Sequence, residues 1–143
     1  MRFVGIDLPL GAVLTTLAIL TCTLVLGHVR EILDRRTALE KGLALLKQWL
    51  SPAQLAQYEK YGYFEVTGGD SGKRYRIRRT HQMNVDELNE HGVRTVTWCF
   101  GPEGELPIGD VMLAQKIALE NNEQAALGVA NRGNPHQITP RFG

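Results

Sequence analysis

The residue type with the strongest nucleophile chemistry in this chain is cysteine, which occurs at Cys22 and Cys99. A thiol becomes a catalytic nucleophile when a base such as histidine lies within hydrogen-bond reach, and His81 and His91 precede Cys99 in the sequence. Cys99 lies between two aromatic residues in a segment with a strand pattern, where a small buried cysteine is the commoner role. We therefore interpret Cys99 as a packing residue, and a membrane-tethered hydrolase centred on it is the weakest of three functional hypotheses.

Other groups that bind metals or transfer protons are scattered along the chain. The four histidines and two cysteines lack the close spacing of a zinc site. Glu103, Glu105 and Asp110 occupy a stretch rich in glycine and proline, which is typical of an exposed loop rather than of a buried acid–base pair. An imidazole such as His28 is a frequent haem or pigment ligand, but at the edge of an apolar helix it more simply reaches lipid headgroups. The sequence predicts no catalytic residue, no metal and no cofactor.

The best-defined polar pattern is a set of three arginines that alternate along a predicted strand: Arg74, Arg76 and Arg78. Alternate residues of a strand share one face, and guanidinium groups bind phosphate well. The second hypothesis is therefore a phosphate-binding module for anionic lipid headgroups or RNA. The competing interpretation pairs these arginines across the sheet with Glu65 and with Asp86 or Glu87. The net charge of +1 argues against nucleic acid as the main partner.

A long apolar stretch near the N-terminus decides whether the chain is anchored in a membrane. Residues 8–27 contain no charged side chain, and a helix of twenty residues spans roughly 30 Å, the hydrocarbon thickness of a bilayer. A soluble core helix would show a polar face over that length. A signal peptide is the main alternative, with Arg2 and the small-residue pattern at 25–27 in its favour, but its apolar core is usually shorter. We predict that residues 1–27 are an N-terminal tail and a retained transmembrane helix.

One basic residue, Arg2, precedes this stretch and more of them follow it, with Arg30, Arg35 and Arg36 close to its end. The positive-inside rule then predicts a single-pass protein with its N-terminus outside and residues 28–143 in the cytoplasm. The same arginines lie where they would contact anionic headgroups. Within the span, small and hydroxyl-bearing side chains form the face most suited to a neighbouring helix. These residues are Thr16, Cys22 and Thr23.

Residues 28–50 show the spacing of an amphipathic helix that continues the span. Its apolar residues are Val29, Ile32, Leu33, Leu39, Leu43, Leu46 and Leu50. A coiled-coil stalk would need heptads sustained over three or four repeats, which are missing. We expect the stripe to pack on the domain that follows.

Residues 51–131 predict a small α+β domain. Ser51 and Gln54 form a capping box that starts a helix at about 52–60. Strands are expected at 63–67, 73–79, 84–88 and 94–100, the first two joined by a turn whose glycines supply positive φ. Asp110 is expected to cap a helix from Val111 that covers one sheet face. The fold class is therefore α+β with a three- to four-stranded antiparallel sheet, followed by an irregular tail at 132–143.

Two segments of this domain, YFEVTGGDSGKRYRIRR and WCFGPEGELPIGDVMLAQKIALE, resemble a small domain that recurs in uncharacterised bacterial proteins. The resemblance covers about residues 51–131 and carries no assigned activity, so it implies a compact domain alone. The leading hypothesis is a non-enzymatic, single-pass accessory or scaffold subunit. Its partners would be the lipid bilayer and other membrane protein subunits, contacted in part by a cytoplasmic interaction domain.

Overall fold

The computed structural model describes residues 10–101, 104 and 106–133. Two compact units divide between Ala38 and Leu39. The described elements, in chain order, are α1 (Leu10–Trp49), α2 (Pro52–Tyr61), β1 (Tyr63–Thr67), β2 (Arg74–Arg78), β3 (Val85–Leu88), β4 (Arg94–Cys99), α3 (Ile108–Asn121), α4 (Glu123–Val129) and β5 (Asn131–Gly133). The predicted α+β class is confirmed.

In the described part of the chain, the first unit consists of residues 10–38 of α1, which we call the first part of α1. The apolar stretch and the amphipathic stretch form one unbroken helix, as predicted. Its large apolar side chains are exposed, with Leu14 at 57% and Leu24 at 66%. A helix of this length and composition can cross a membrane.

The second unit is a five-stranded antiparallel sheet in the order β1-β2-β3-β4-β5, with helices on one face. Side chains alternate between the two faces of the sheet, and the register pairs residues of the same face. Phe64 and Ile77 therefore point into the core, while Glu65 and Arg76 point away from it. The core also receives Leu46 from the end of α1. The four predicted strands are confirmed within one residue at each end.

Three local features differ from the sequence-based expectations. The prediction that Asp110 caps a helix starting at Val111 is wrong, because α3 begins at Ile108 and Pro107 occupies the N-cap. The single C-terminal helix is interrupted at Asn122, where α3 ends and α4 starts. A fifth strand, β5, pairs with β4 and takes up the first residues of the expected irregular tail. Residues 134–143 of that tail, which include His136, lie outside the described residues, as do Glu103 and Glu105.

The amphipathic part of α1 has two different environments. Leu46 and Leu50 are buried in the domain core, and Leu43 packs against it. This confirms that the last part of the stripe covers the domain. By contrast, Ile32 and Leu33 are 40% and 55% exposed.

Glycine explains how tightly the end of α1 packs on α3. A Cβ on Gly109 would collide with the backbone of Gly42. A mid-helix glycine costs about 1 kcal/mol relative to alanine, and the close approach of the two backbones offsets that cost at Gly42.

The outer edge of β1 is closed by side chains of α2. The amide of Gln54 donates to the Glu65 carbonyl at 2.9 Å, and the Glu65 N–H donates to the Gln57 amide oxygen at 2.8 Å. Unpaired backbone groups on an edge strand invite another strand to add. These two glutamines occupy the groups of Glu65 that an incoming strand would need.

Candidate functional site

The three predicted arginines lie on the sheet face away from the helices, as alternation along β2 requires. We call this surface the arginine face, defined by Arg74, Arg76 and Arg78 with the carboxylates of Glu65 and Asp86. Each carboxylate binds more than one arginine. Glu65 contacts Arg74 at 2.6 Å and Arg76 at 2.9 Å.

The second carboxylate is more deeply placed. Asp86 has a side chain that is only 4% exposed, and Nε of Arg78 lies 2.9 Å from its Oδ2, at an angle that makes no hydrogen bond there. Nη2 of Arg78 donates to Oδ1 at 3.2 Å, and the Thr97 hydroxyl donates to the same oxygen at 2.9 Å. Arg94 approaches this carboxylate at 3.9 Å. A buried charge is tolerated when it is paired and hydrogen-bonded in this way.

These pairs fix the ionisation of Glu65. Burial alone would raise the pKa of its carboxyl, but the hydrogen bonds and positive charges of Arg74 and Arg76 outweigh burial and hold the pKa below its usual range. The predicted partners Glu65 and Asp86 are therefore the observed ones. Glu87 lies on the opposite face, where it contacts Lys73 at 2.7 Å and accepts from the Trp98 indole at 3.3 Å.

Aromatic residues continue the arginine face at the β1 edge. Arg76 lies 4.5 Å from the centre of the Tyr63 ring, Tyr63 stacks on Tyr61 at 5.4 Å, and Lys60 lies 4.9 Å from the Tyr61 ring centre. Cations over ring faces are weakly stabilising at exposed sites. Since each ring has a protein group over it, this ladder is a packed surface rather than an open stacking platform.

A buried carboxylate at the other side of the domain escaped the sequence analysis. Glu123, at the start of α4, is 2% exposed. It accepts hydrogen bonds from the backbone of Asp70 at 3.1 Å, from the backbone of Ser71 at 2.7 Å, and from the hydroxyls of Ser71 and Tyr75 at 2.5 Å each. In return, the Asp70 carboxylate accepts from the Gln124 N–H at 2.9 Å. We call this set the carboxylate clamp.

The clamp perturbs two ionisable groups. Burial would raise the pKa of Glu123, yet the hydrogen bonds from Ser71 and Tyr75 lower it below its usual range. Burial first, and then the adjacent Glu123 carboxylate, raise the pKa of Tyr75. A carboxylate held by several donors stays ionised, and the phenol that donates to it stays neutral.

The paired glycines of the β1–β2 turn carried the one sequence signal for this clamp. A Cβ on Gly68 would collide with the Glu123 carboxylate, and one on Gly69 with the Glu120 carbonyl. Positive φ, the role expected for these glycines, occurs in this turn at Gly72. Close approach of another chain segment is the reason for the other two.

The proposed Cys99 nucleophile is placed away from one of its two bases. Cys99 ends β4, and His91 lies in the turn before that strand, so roughly 17 Å of extended strand separates them. His81 is exposed in the loop between β2 and β3, and no hydrogen bond links it to Cys99 in the described chain. Cys99 is partly buried beside Trp98 and Phe100, which pack against the core.

The predicted helix-contact residues lie in the exposed first part of α1. The hydroxyls of Thr16 and Thr23 donate to carbonyls of the preceding turn, at 2.9 Å to Val13 and 2.8 Å to Leu20. Their polar groups are therefore satisfied within the helix, which suits an apolar surrounding. Cys22 is exposed beside them.

The predicted juxtamembrane arginines follow on the same helix. Arg30, Arg35 and Arg36 are exposed, and Arg35 pairs with Glu31 one turn earlier at 3.0 Å. His28 is exposed at the predicted membrane boundary.

Among the described residues no group of three His, Cys, Asp or Glu side chains is arranged to hold a metal ion. No family model, curated protein or solved structure matches the chain. The resemblance to a recurring bacterial domain therefore stays a prediction.

Proposed function

We propose that the chain is a non-enzymatic accessory or scaffold subunit of a membrane assembly, anchored by the first part of α1. The observation that carries this proposal is the exposure of that helix. Apolar side chains on all its sides are exposed, such as Ile19 at 64% and Val25 at 60%. Contiguous exposed apolar surface of this extent indicates a membrane or protein contact.

The orientation is part of the proposal. Arg30, Arg35 and Arg36 follow the span, and basic residues favour the cytoplasmic side. The α+β domain would then face the cytoplasm and present its surface to neighbouring subunits.

The domain supports an interaction role because its best-defined polar groups serve the fold. Glu123 joins a turn to a helix, and Glu65 and Asp86 join strands through arginines. Groups committed to several internal partners are costly to redirect to a substrate, because a partner is then left unsatisfied. A hydrolase at Cys99 has less support, because Cys99 lies beside Trp98 and Phe100, which pack against the core, and β4 separates it from His91.

Purification in a mild non-ionic detergent followed by native mass measurement tests the proposal. We expect a copurifying membrane protein whose binding is weakened when Thr16, Cys22 and Thr23 are all replaced by leucine. The matched control replaces Thr21 by leucine, which alters a similar hydroxyl on another side of the helix. A monodisperse single chain from native membranes, with no partner under any mild condition, would contradict the proposal.

The phosphate-binding module remains the alternative, since four arginines (Arg74, Arg76, Arg78 and Arg94) share two carboxylates on one face. It has less support because the carboxylates already engage the guanidinium groups. Replacing Arg74, Arg76 and Arg78 by glutamine and measuring RNA and phosphoinositide binding in detergent separates the two. A loss of specific binding in the triple variant would favour the alternative.

A further inference from the structure

Two arginines at one end of the arginine face are incompletely paired. Arg74 of β2 and Arg94 of β4 are both Cα partners of Leu88 in β3, so they lie two strand spacings, or roughly 10 Å, apart. The Arg74 guanidinium shares the Glu65 carboxylate with a second arginine. The Arg94 guanidinium reaches Asp86 only at 3.9 Å, and it makes no hydrogen bond in the part of the chain that the structure describes. We call Arg74 and Arg94 the outer pair.

The outer pair has hydrogen-bonding capacity to spare. A guanidinium carries five N–H donors, and Arg74 uses Nη2 to donate to Glu65 at 2.6 Å. The side chains of Arg74 and Arg94 are 46% and 36% exposed, whereas those of Arg76 and Arg78 are 27% and 30% exposed. Donors that an arriving group can reach therefore remain on the outer pair, and their use does not break the internal ion pairs.

The arginine face also carries a local surplus of positive charge. Its ion pairs join four arginines to two carboxylates, so the positive charges exceed the negative ones by two. The whole chain has a net charge of only +1, which means that the surplus is a property of this surface. Neighbouring like charges on a sheet are destabilising, and an external anion over the outer pair would offset their repulsion.

The existing contacts indicate that the matching anion is a set of separate carboxylates. Arg74 is held towards β1 by Glu65, while the nearest carboxylate to Arg94 is Asp86 in β3, so the two guanidinium groups do not converge on a single phosphate. Bases of a nucleic acid would find no open ring beside them. Tyr61 and Tyr63 stack on each other, and a cation lies over each ring.

We propose, on the basis of the scaffold role proposed above, that the outer pair docks an acidic segment of a neighbouring protein subunit. The segment lies extended across the sheet face, and its carboxylates complete the arginine–carboxylate pairing that Glu65 and Asp86 begin. Residues three apart in an extended chain are about 10 Å apart, which matches the separation of Arg74 and Arg94. An arginine fork binds a carboxylate with two parallel hydrogen bonds.

The test uses the full chain in maltoside micelles and the fluorescence anisotropy of a labelled peptide. Glutamate occupies every third position of this peptide, between serines, and the matched probe has glutamine in place of each glutamate. We expect saturable binding of the glutamate peptide at about 0.01 M salt and binding of the glutamine peptide that is at least about tenfold weaker. Binding should weaken at about 0.15 M salt, because the Debye length falls from about 30 Å to about 8 Å.

Substitutions of the outer pair assign the contact. Arg74→Gln and Arg94→Gln should each weaken binding of the glutamate peptide by about threefold and together by about tenfold, as expected for exposed ion pairs. Arg132→Gln is the matched control, since it removes an exposed arginine whose Cα partner, Trp98, packs against the core on the other side of the sheet. It should change binding by less than about twofold.

A third position supplies a carboxylate from within the domain and removes no arginine. Thr67 is exposed on β1 and is the Cα partner of Arg74. Thr67→Glu places a carboxylate beside that guanidinium, so it should weaken peptide binding by about threefold, whereas Thr67→Gln should leave binding unchanged. This pair of variants gives the same test if Arg74→Gln does not fold.

Any of three results would overturn the proposal. The first is glutamate-peptide binding that is absent at low salt or equalled by the glutamine peptide. The second is equal binding by Arg132→Gln and by the variant that lacks both Arg74 and Arg94. The third is tighter binding of a uridine RNA or of phosphoinositide-doped micelles than of the glutamate peptide, lost in that double variant, which would assign the outer pair to phosphate.

Copurification from native membranes separates docking at the outer pair from the scaffold role. We expect the variant that lacks Arg74 and Arg94 to recover less of the partner protein than Arg132→Gln does. Equal recovery would overturn docking at the outer pair and leave the scaffold role standing. Absence of any copurifying protein, together with arginine-dependent peptide binding, would instead contradict the scaffold role.

Discussion

The first part of α1 and the α+β domain satisfy their polar groups in opposite ways. In the helix, Thr21 donates to the Ala18 carbonyl at 2.9 Å, three residues earlier. In the domain, Ser71 donates to Glu123, fifty-two residues later, at 2.5 Å. The helix therefore needs no tertiary partner for its polar groups, as a lipid surrounding demands, whereas the domain depends on contacts between segments distant in sequence.

The largest expected effect in this comparison comes from the carboxylate clamp. Glu123→Ala removes a buried acceptor and leaves the Tyr75 hydroxyl and two backbone N–H groups without it, so the free energy of unfolding of the domain should fall by about 3 kcal/mol. Urea unfolding in micelles, followed by tryptophan fluorescence, measures the change. Glu120→Ala is the control, because that carboxylate pairs with Lys116 one turn away and should cost about 0.5 kcal/mol. Equal losses in both variants would show that the clamp stabilises the domain no more than the Lys116–Glu120 ion pair does.

The next effect concerns a buried amide pair that joins α3 to the segment before β3. Asn84 and Gln115 exchange two hydrogen bonds, at 2.8 and 2.9 Å, and both are almost fully buried. Either Asn84→Leu or Gln115→Leu should cost about 2 kcal/mol, because the remaining amide is buried without its partner. The double variant should cost less than the sum of the two. A double-mutant cycle that shows strict additivity would mean that the two amides do not interact.

Acid should lower the stability of the domain through the carboxylates of Glu65 and Glu123. The folded-state pKa values of Glu65 and Glu123 lie below the ordinary 4.5, so their contribution is complete above about pH 4.5 and is lost as pH falls through the lowered values. The urea midpoint should therefore decrease on acidification below that pH, and less so in Glu123→Gln. A midpoint in Glu123→Gln with the same acid dependence as the unmodified protein would assign the effect to other groups.

Alkali should weaken the domain through Tyr75. Its pKa is raised above the ordinary 10.0 in the folded state, so its contribution is complete below about pH 10 and is lost as pH rises towards the folded value. Tyr75→Phe should reduce this alkaline loss, measured by the same urea midpoint.

The smallest effect is expected in the helix. Thr21→Val removes a hydroxyl that bonds only within its own helix, so it should change membrane association or helix content by no more than about 0.5 kcal/mol. Circular dichroism in micelles and sedimentation with membranes check this. A loss comparable to that of Glu123→Ala would mean that Thr21 has a tertiary partner.

Features that depend on residues close together in the sequence could be predicted, whereas features that depend on contacts between distant segments could not. Alternation of apolar and polar residues located β1 to β4 and set Arg74, Arg76 and Arg78 on one face, because a strand pattern is local. It predicted Glu65 as a partner and left Asp86 and Glu87 as alternatives, between which the strand register selects Asp86. The capping box of Ser51 and Gln54 is confirmed for the same reason.

The missed features depend on distant segments. Glu123 stands in the polar run ENNEQ, which in sequence is indistinguishable from a solvated helix end, and only its approach to Gly68 and Gly69 buries it. The Tyr58 ring packs in the core, but nothing local indicates that its hydroxyl lacks a partner among the described residues.

The central claim is that the first part of α1 is held within a membrane, and accessibility of Cys22 tests it most directly. In a Cys99→Ala background, intact membranes are washed with alkaline carbonate and then treated with a membrane-impermeant maleimide. The account predicts that the full-length chain stays in the membrane pellet and that Cys22 reacts only after the protein is unfolded in a denaturing detergent. Release of the chain into the wash, or rapid labelling of Cys22 in intact membranes, would contradict it.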